Sequence, residues 1–540
     1  MPCHPTHRAG TGLAVLALVC SLCILFPTAA VAADGVALLP PAAWSATSAE
    51  NPVLNGPMLA FETYALAGAP VRKSATAKVH LWNMQTGAQR RIGLDAPAPA
   101  GADQRHPTIV DQAGDVYVVW QQRDAVAANA NLWLWRGDES GAVAAGYPRV
   151  LVSGPAGSQQ TSPHLGLTTV GKQKHLVVAW EDDRNTGGAS AQIYVLDLSA
   201  DGDGDGVPNY LEATFNPAVA GMCADPTGNL LQGQHSPTVG AKGVFWLDDR
   251  RAAGSGESDV YRASLAGGSP VASVYWKNTV YGPVSAPCAT DDGAAWLGPG
   301  IAGAAYEPWL KKVDGSAGIL TFFGNPGVFA VAGQRFAFTG GHKGATDTDP
   351  DLFFYDRGSG QNVGVCTVGG PTWNRLKIQT TPAIAAASGG SRIVWADSRQ
   401  STNTAATGYD ALAYTLYVAH TPTVTLRARK TTIKLGQTVA LTSTVAPAFA
   451  GAKVRFERGK RMTFTHDWVL NGTWAYYQKW TALATKRLTR TSQADWQWRP
   501  TARGTYWVRA WFTGGSKYKD GGLKVPHIAN ASKVIKIVVK

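Results

Sequence analysis

A chain of 540 residues is too long for one ordinary hydrophobic core, so two or three domains are expected. Sixty Gly, 31 Pro and 19 Trp beside only 16% charged residues favour turns and aromatic-rich strands, and the lack of any long 3.6-residue period after position 30 argues against a helical protein. The net charge of +12 conceals an asymmetry: residues 421–540 carry 22 Lys/Arg against 4 Asp/Glu, whereas 34–420 carry 26 against 33, as expected of two domains, the basic one drawn to wall polymers, acidic polysaccharide or released nucleic acid.

The chain opens with His7 and Arg8, an apolar run from Leu13 to Phe26, and Ala30-Val31-Ala32 ahead of Ala33. That run is too short to span a bilayer comfortably and a small-x-small site follows it, which predicts an export signal over 1–32 and a mature chain that is secreted or associated with the cell surface, without a membrane span. A lipid anchor is the rival reading, but Cys20 and Cys23 follow bulky Val19 and Leu22 where a lipoprotein signal needs Gly or Ala. Removal of the signal leaves Cys223, Cys288 and Cys366, an odd number that allows either a Cys223–Cys288 disulfide with one spare thiol or three reduced buried thiols.

Residues 33–56, rich in Ala and Pro, predict a lead-in able to supply a closing strand. Beyond them a pattern recurs: an apolar run ending in Trp-x-Asp-x-Arg at Trp180-Glu181-Asp182-Asp183-Arg184, Trp246-Leu247-Asp248-Asp249-Arg250 and Trp395-Ala396-Asp397-Ser398-Arg399, with a weaker copy at Trp120-Gln121-Gln122-Arg123. Each is preceded by a Pro pair (His106-Pro107, Ser162-Pro163, Ser236-Pro237, Thr381-Pro382) and followed by a short aromatic strand (Leu132-Trp133, Ile193-Tyr194, Val260-Tyr261, Leu416-Tyr417). Second strands placed near 60, 118, 178, 245, 295, 337 and 394 predict an all-β propeller of about seven blades over 57–421, or six if the stretch near 295 is a connection. The three full motifs resemble those of TolB-like propellers of exported bacterial proteins, a resemblance that covers roughly 57–420 and implies a fold without naming a ligand. In such a unit the Trp packs between sheets while the Asp accepts from turn amides and pairs with the Arg, so a carboxylate repeated in several blades is scaffold before it is catalyst.

Between the third and fourth repeats, Asp201-Gly202-Asp203-Gly204-Asp205-Gly206-Val207-Pro208-Asn209-Tyr210-Leu211-Glu212 has the spacing of a twelve-residue calcium loop. A hard cation needs six to eight oxygens bent round one point, which predicts ligation by Asp201, Asp203, Asp205, the Val207 carbonyl, Asn209 and both oxygens of Glu212, with Gly206 at the turn. It resembles EF-hand and thrombospondin type 3 loops, although Tyr194-Val195-Leu196-Asp197-Leu198 ahead of it has strand and not helix character. The alternative is an acidic Gly-rich linker without metal.

From Thr423 onward, period-two stretches such as Thr432 to Leu441, Trp496-Gln497-Trp498 and Gly504 to Phe512 predict an antiparallel sandwich over 422–540 that resembles bacterial Ig-like domains. Gly459 to Lys479 fits that pattern less well. No Gly-x-Ser-x-Gly, His-Glu-x-x-His, phosphate loop, dinucleotide turn or sialidase Asp-box appears, so the expected function is a non-catalytic binding, adhesion or scaffold role. Its partners would be a cell-wall polymer, glycan or extracellular protein, with weak polyanion binding by the C-terminal region, no specific nucleic acid and a monomeric state. The alternative is a polysaccharide-active glycoside hydrolase or lyase with its site at the propeller channel.

Overall fold

The structure is a computed structural model and describes residues 36–540 except 39–46, 68–71, 93–101, 124–128, 155–156, 185–189, 201–207, 209–220, 223–232, 250–257, 266–270, 277–283, 300–305, 316, 320–324, 342–350, 358–360, 367–378, 388, 399–413, 465–473, 515–516 and 521–522. Every regular element among the described residues is a strand, and no helix there is long and apolar enough to cross a membrane.

Seven antiparallel sheets form the blades of a propeller. Their second strands are Met58–Ala67, Asp115–Arg123, Gln173–Asp182, Gly243–Asp248, Gly293–Pro299, Arg335–Gly341 and Gly390–Asp397, at each of the seven expected places. The stretch near 295 is therefore a blade and not a connection. These strands are apolar on successive residues because both of their faces are covered by neighbouring sheets: Val177, Val178, Ala179 and Trp180 are all buried. Seven shared cores run round the ring. Val178 and Trp180 pack with Tyr117 and Val119, while Val177 and Ala179 pack on the other side with Val244 and Trp246. The last core, Leu59, Phe61 and Trp82 of the first blade against Val394, Ala396 and Leu416 of the seventh, closes the circle.

The predicted lead-in at 33–56 does supply a closing strand, but its second half requires correction, because it is itself a blade strand. Thr47–Asn55 is the first strand of blade 1, paired with Met58–Ala67. Val36–Leu38 pairs with the outer strand of blade 7 (Val36 with Val418, Leu38 with Leu416), so the chain's beginning and the end of the repeat share one sheet.

The expected boundary at 421/422 falls inside a single 14-residue strand, Thr415–Ala428. Its first half pairs with Gly390–Asp397 of blade 7 and its second half with Val439–Ala446. The latter continues into a sheet with Gln493–Trp498, which faces a second sheet ordered Thr432–Ile433, Ile535–Val539, Gly504–Phe512, Lys453–Phe464 and Trp474–Arg487. Val424, Leu426, Leu441 and Trp498 meet Val454, Phe456, Val508, Phe512 and Ile537 between them, making a two-sheet sandwich. Sandwich and propeller also share a core, in which Trp511, Ile528, Ala529 and Ala531 pack on Ile393, Trp395, Tyr417 and Ala419.

Candidate functional site

The first strand of each blade lies nearest the propeller axis, where chemistry could be assembled from several blades. Five of the seven share a bulge that contains a Pro: the register shifts between Glu50 and Val53, Arg105 and Thr108, Thr161 and His164, His235 and Thr238, and Thr380 and Ala383. At each, the residue ahead of the Pro takes a left-handed backbone, with φ of 48° at Asn51, 51° at His106, 50° at Ser162, 56° at Ser236 and 42° at Thr381. Such conformations in non-glycine residues persist only where surrounding contacts hold them.

Carboxylates of the neighbouring blade supply two of those contacts. Glu62 Oε1 accepts from the His106 N–H at 2.6 Å and Glu181 Oε1 accepts from the Ser236 N–H at 2.8 Å. Glu62 is fully buried, and its other oxygen accepts from Asn51 Nδ2 at 2.9 Å and from the Tyr64 hydroxyl at 2.6 Å. Burial and the adjacent Glu62 push the Tyr64 hydroxyl well above its ordinary range, so it acts as a fixed donor. Thr161 donates to Glu181 Oε2 at 3.2 Å. Both carboxylates directly follow the aromatic that recurs in the second strands of the repeat, and both pin one blade to the bulge of the next. Links of this kind continue through the residue after the Pro: Thr108 Oγ1 accepts from Leu165 N and Thr238 Oγ1 from Ala289 N.

Two of the three full Trp-x-Asp pairs, at Trp180 and Trp395, behave as the repeat predicts, whereas the buried Trp246 Nε1 has no hydrogen-bond partner among the described residues. Asp182 is completely buried and accepts from Trp180 Nε1 at 3.0 Å and the Arg184 N–H at 3.0 Å, and it also pairs with the Arg184 guanidinium. Trp395 Nε1 donates to Asp397 Oδ2 at 3.3 Å. A partner that the Trp-x-Asp reading alone misses is the Gln three residues before four of the five bulge Pro residues, Pro52 having Ala49 there. Gln234 donates to Asp248 Oδ2 at 2.9 Å while its carbonyl accepts from Ile193 N of the preceding blade at 3.0 Å, and Gln104 makes the corresponding bond to Gln122 Oε1 at 2.9 Å. The signal was present in the sequence as Gln-x-x-Pro at Gln104, Gln160, Gln234 and Gln379.

A second concavity, about 770 Å³, lies where the opposite end of the propeller meets the sandwich, lined in part by Asp291, Arg335, Asp356, Ser391, Thr423 and Lys533. Arg335 bridges it, donating to Ser391 Oγ and Thr423 Oγ1 at 2.8 Å each and lying 3.5 Å from Asp356. It is a structural strut between blades and sandwich.

Of the expected metal ligands, Asp201, Asp203, Asp205, Val207, Asn209 and Glu212 all lie outside the described residues, as do Arg250 and Arg399 of the repeat. The preceding segment is a strand, Gln192–Asp197, as its sequence indicates. No group of three or more His, Cys, Asp or Glu side chains able to hold a metal occurs among the described residues. Cys223, the expected partner of Cys288, lies outside the described residues. Cys288 is a free thiol that donates to the Phe329 carbonyl at 3.3 Å, and burial pushes it up to about 12.

No family model matches the sequence, and no curated protein matches it. Among solved structures, the chain is similar to the β-propeller domain of the trilobed protease from Pyrococcus furiosus, with 9% identity, a TM-score of 0.42, and 69% of this chain and 92% of that one covered. It is also similar to an acylaminoacyl peptidase from Pyrococcus horikoshii, with 9% identity and a TM-score of 0.41, and covers 57% of that longer chain with 74% of its own. An endo-arabinase from Bacteroides thetaiotaomicron gives 10% identity and a TM-score of 0.28, with 73% of this chain and 97% of that one covered. At these values the likeness concerns β-propeller architecture alone.

Proposed function

We propose that this is an exported, non-catalytic binding or scaffold protein, in which the propeller engages a glycan or an extracellular protein and the basic sandwich holds the molecule to a polyanionic surface. The observation that carries this reading is the engagement of the inner carboxylates: Glu62 and Glu181 fasten bulges of adjacent blades, and Asp182 and Asp248 fasten the Trp-x-Asp and Gln pairs. A glycosidase needs two carboxyl groups free to face a scissile bond, one to donate a proton and one to attack or activate water. The experiment is a turnover assay of the purified chain on plant and microbial polysaccharides, with Glu62→Gln and Glu181→Gln as variants. No release of reducing sugar or unsaturated product is expected. Turnover that either variant abolishes overturns the binding reading in favour of the hydrolase or lyase.

Calcium in the 201–212 loop belongs to the same proposal, supported by its run of alternating carboxylates. A cation bound only by the folded chain stabilises it through mass action, by about 2.7 kcal/mol at a hundredfold excess over the dissociation constant. Thermal melts with millimolar calcium and with chelator should differ, and Asp203→Ala should remove the difference. Identical melts count against the site.

A further inference from the structure

The sandwich carries a groove of about 400 Å³ on its six-stranded sheet, within the size of small-ligand sites, roughly 300–1,000 Å³. Arg458, Lys460, Arg461, Thr481, Thr505 and Trp507 line it, and no carboxylate is among its described lining residues. In an unbroken strand Arg458 and Arg461 would point to opposite faces, since side chains alternate. All three cations of the run nonetheless line the groove, beside a register shift in which the neighbouring strand Trp474–Arg487 carries one extra residue between the partners of Arg458 and Lys460.

The surroundings keep the charge there unneutralised. Glu457, the neighbouring acid, is buried and bound to Arg509 at 2.8 Å and Arg455 at 3.0 Å. Arg509 lies over the rings of Trp480 and Trp511 at 3.9 and 4.8 Å, which leaves Trp507 as the aromatic wall of the groove. Arg461 and, from the adjoining strand, Lys536 sit over the Trp507 ring at 4.9 and 5.9 Å, so the ring holds two cations at the rim. Gly459 is the floor: a Cβ there would lie 2.9 Å from the Trp480 ring.

We propose that this groove binds a carboxylate-bearing polysaccharide, with Arg458 and Arg461 receiving uronate carboxylates, Lys460 and Lys536 adding charge, Thr481 and Thr505 meeting sugar hydroxyls, and Trp507 packing on a sugar C–H face. A guanidinium fork matches a planar carboxylate with two parallel hydrogen bonds. A single-stranded nucleic acid would instead use a row of exposed aromatics on which successive bases stack, whereas among the described lining residues Tyr506 is packed on Trp498 and Trp507 is the other ring. The proposal rests on the reading that the sandwich is the surface-binding part, and it names the residues and the ligand class.

The test measures binding of the full chain to polygalacturonate at 150 mM salt for the unaltered protein, for Arg458→Ala with Arg461→Ala, and for Lys486→Ala with Arg487→Ala, which removes equal charge from exposed positions of the same sheet outside the groove. The groove pair is expected to weaken binding roughly 10-fold or more and the control pair roughly twofold or less, as for a few localised against diffuse exposed charges. A neutral glucan should not bind. Equal weakening by both pairs overturns the groove while leaving a diffuse electrostatic tether intact. Tighter binding to single-stranded DNA than to polygalacturonate overturns the glycan assignment. Absence of any polyanion binding by the unaltered chain overturns both the groove and the tether, whatever the turnover assay shows.

Discussion

Asp182→Ala should lower the stability of the folded chain by about 3–5 kcal/mol, the cost of leaving one member of a buried ion pair behind. The carboxylate has no exposed surface and accepts from the Trp180 indole, the Arg184 amide and the Arg184 guanidinium. Removing it strands an indole N–H and a guanidinium beside Tyr194, over whose ring Arg184 already lies at 4.9 Å. Asp182→Asn keeps the shape and an acceptor oxygen but loses the charge, so it should recover part of the loss. Urea unfolding with an unchanged slope and a lowered midpoint is the measurement. A loss below about 1 kcal/mol for the Ala variant would show that the repeated Asp is not a scaffold residue, and would reopen a catalytic role for it.

Acidification from pH 7 to pH 4 should cost several kcal/mol, because three histidines are held neutral. Burial pushes His80 down to about 3, His164 to about 4 and His527 to about 2, the last with His420 adding to the effect. Geometry gives the same direction independently. His164 Nδ1 accepts the Val239 N–H at 3.1 Å and so carries no proton there. His527 Nδ1 lies 3.3 Å from His420 Nδ1 with its ring against Phe449, where a second proton would set N–H against N–H in apolar surroundings. Each folded value lies below the unfolded value of about 6.5, so the unfolded chain binds more protons as pH falls. The stability is fully present above about pH 6.5 and is lost downward from there, by about 1.4 kcal/mol per pH unit for each histidine until its folded value is reached. Thermal melts at pH 7, 6, 5 and 4 check it. His164→Gln should make the slope shallower, and a melting temperature that does not move over this range contradicts the account.

The propeller was legible because its second strands are covered on both faces and therefore read as apolar runs, and because Trp180, Trp246 and Trp395 each carry a buried acceptor two residues on. Even the weak copies near 295 and 337 are real blades, in which Gly298 and Gly340 replace the Asp. First strands were harder to see. Pro and a polar neighbour break their alternation at the bulge, which is why Thr47–Asn55 passed for a lead-in although Asn51-Pro52 repeats the pattern of Ser162-Pro163. Glu62 and Glu181 escaped notice for another reason: the position after the aromatic is Gln121, Leu247, Leu297, Thr339 and Ala396 in the other blades, so no repeat marks it. The groove on the sandwich lies beside a one-residue register shift, which no sequence period records.

The strand Thr415–Ala428 serves the seventh blade with one half and the sandwich with the other, so there is no hinge along it. A molecule held to a surface by its sandwich and to a ligand by its propeller would transmit tension along that strand. Its ladder bonds to Gly390–Asp397 and Val439–Ala446 run across the strand direction, so a pull along it loads them together in shear and does not peel them open one at a time. The same pull bears on the short closing strand Val36–Leu38, which is paired with the loaded segment at Leu416 to Val418. In such a molecule that stretch of fourteen residues carries load together with the core shared by propeller and sandwich.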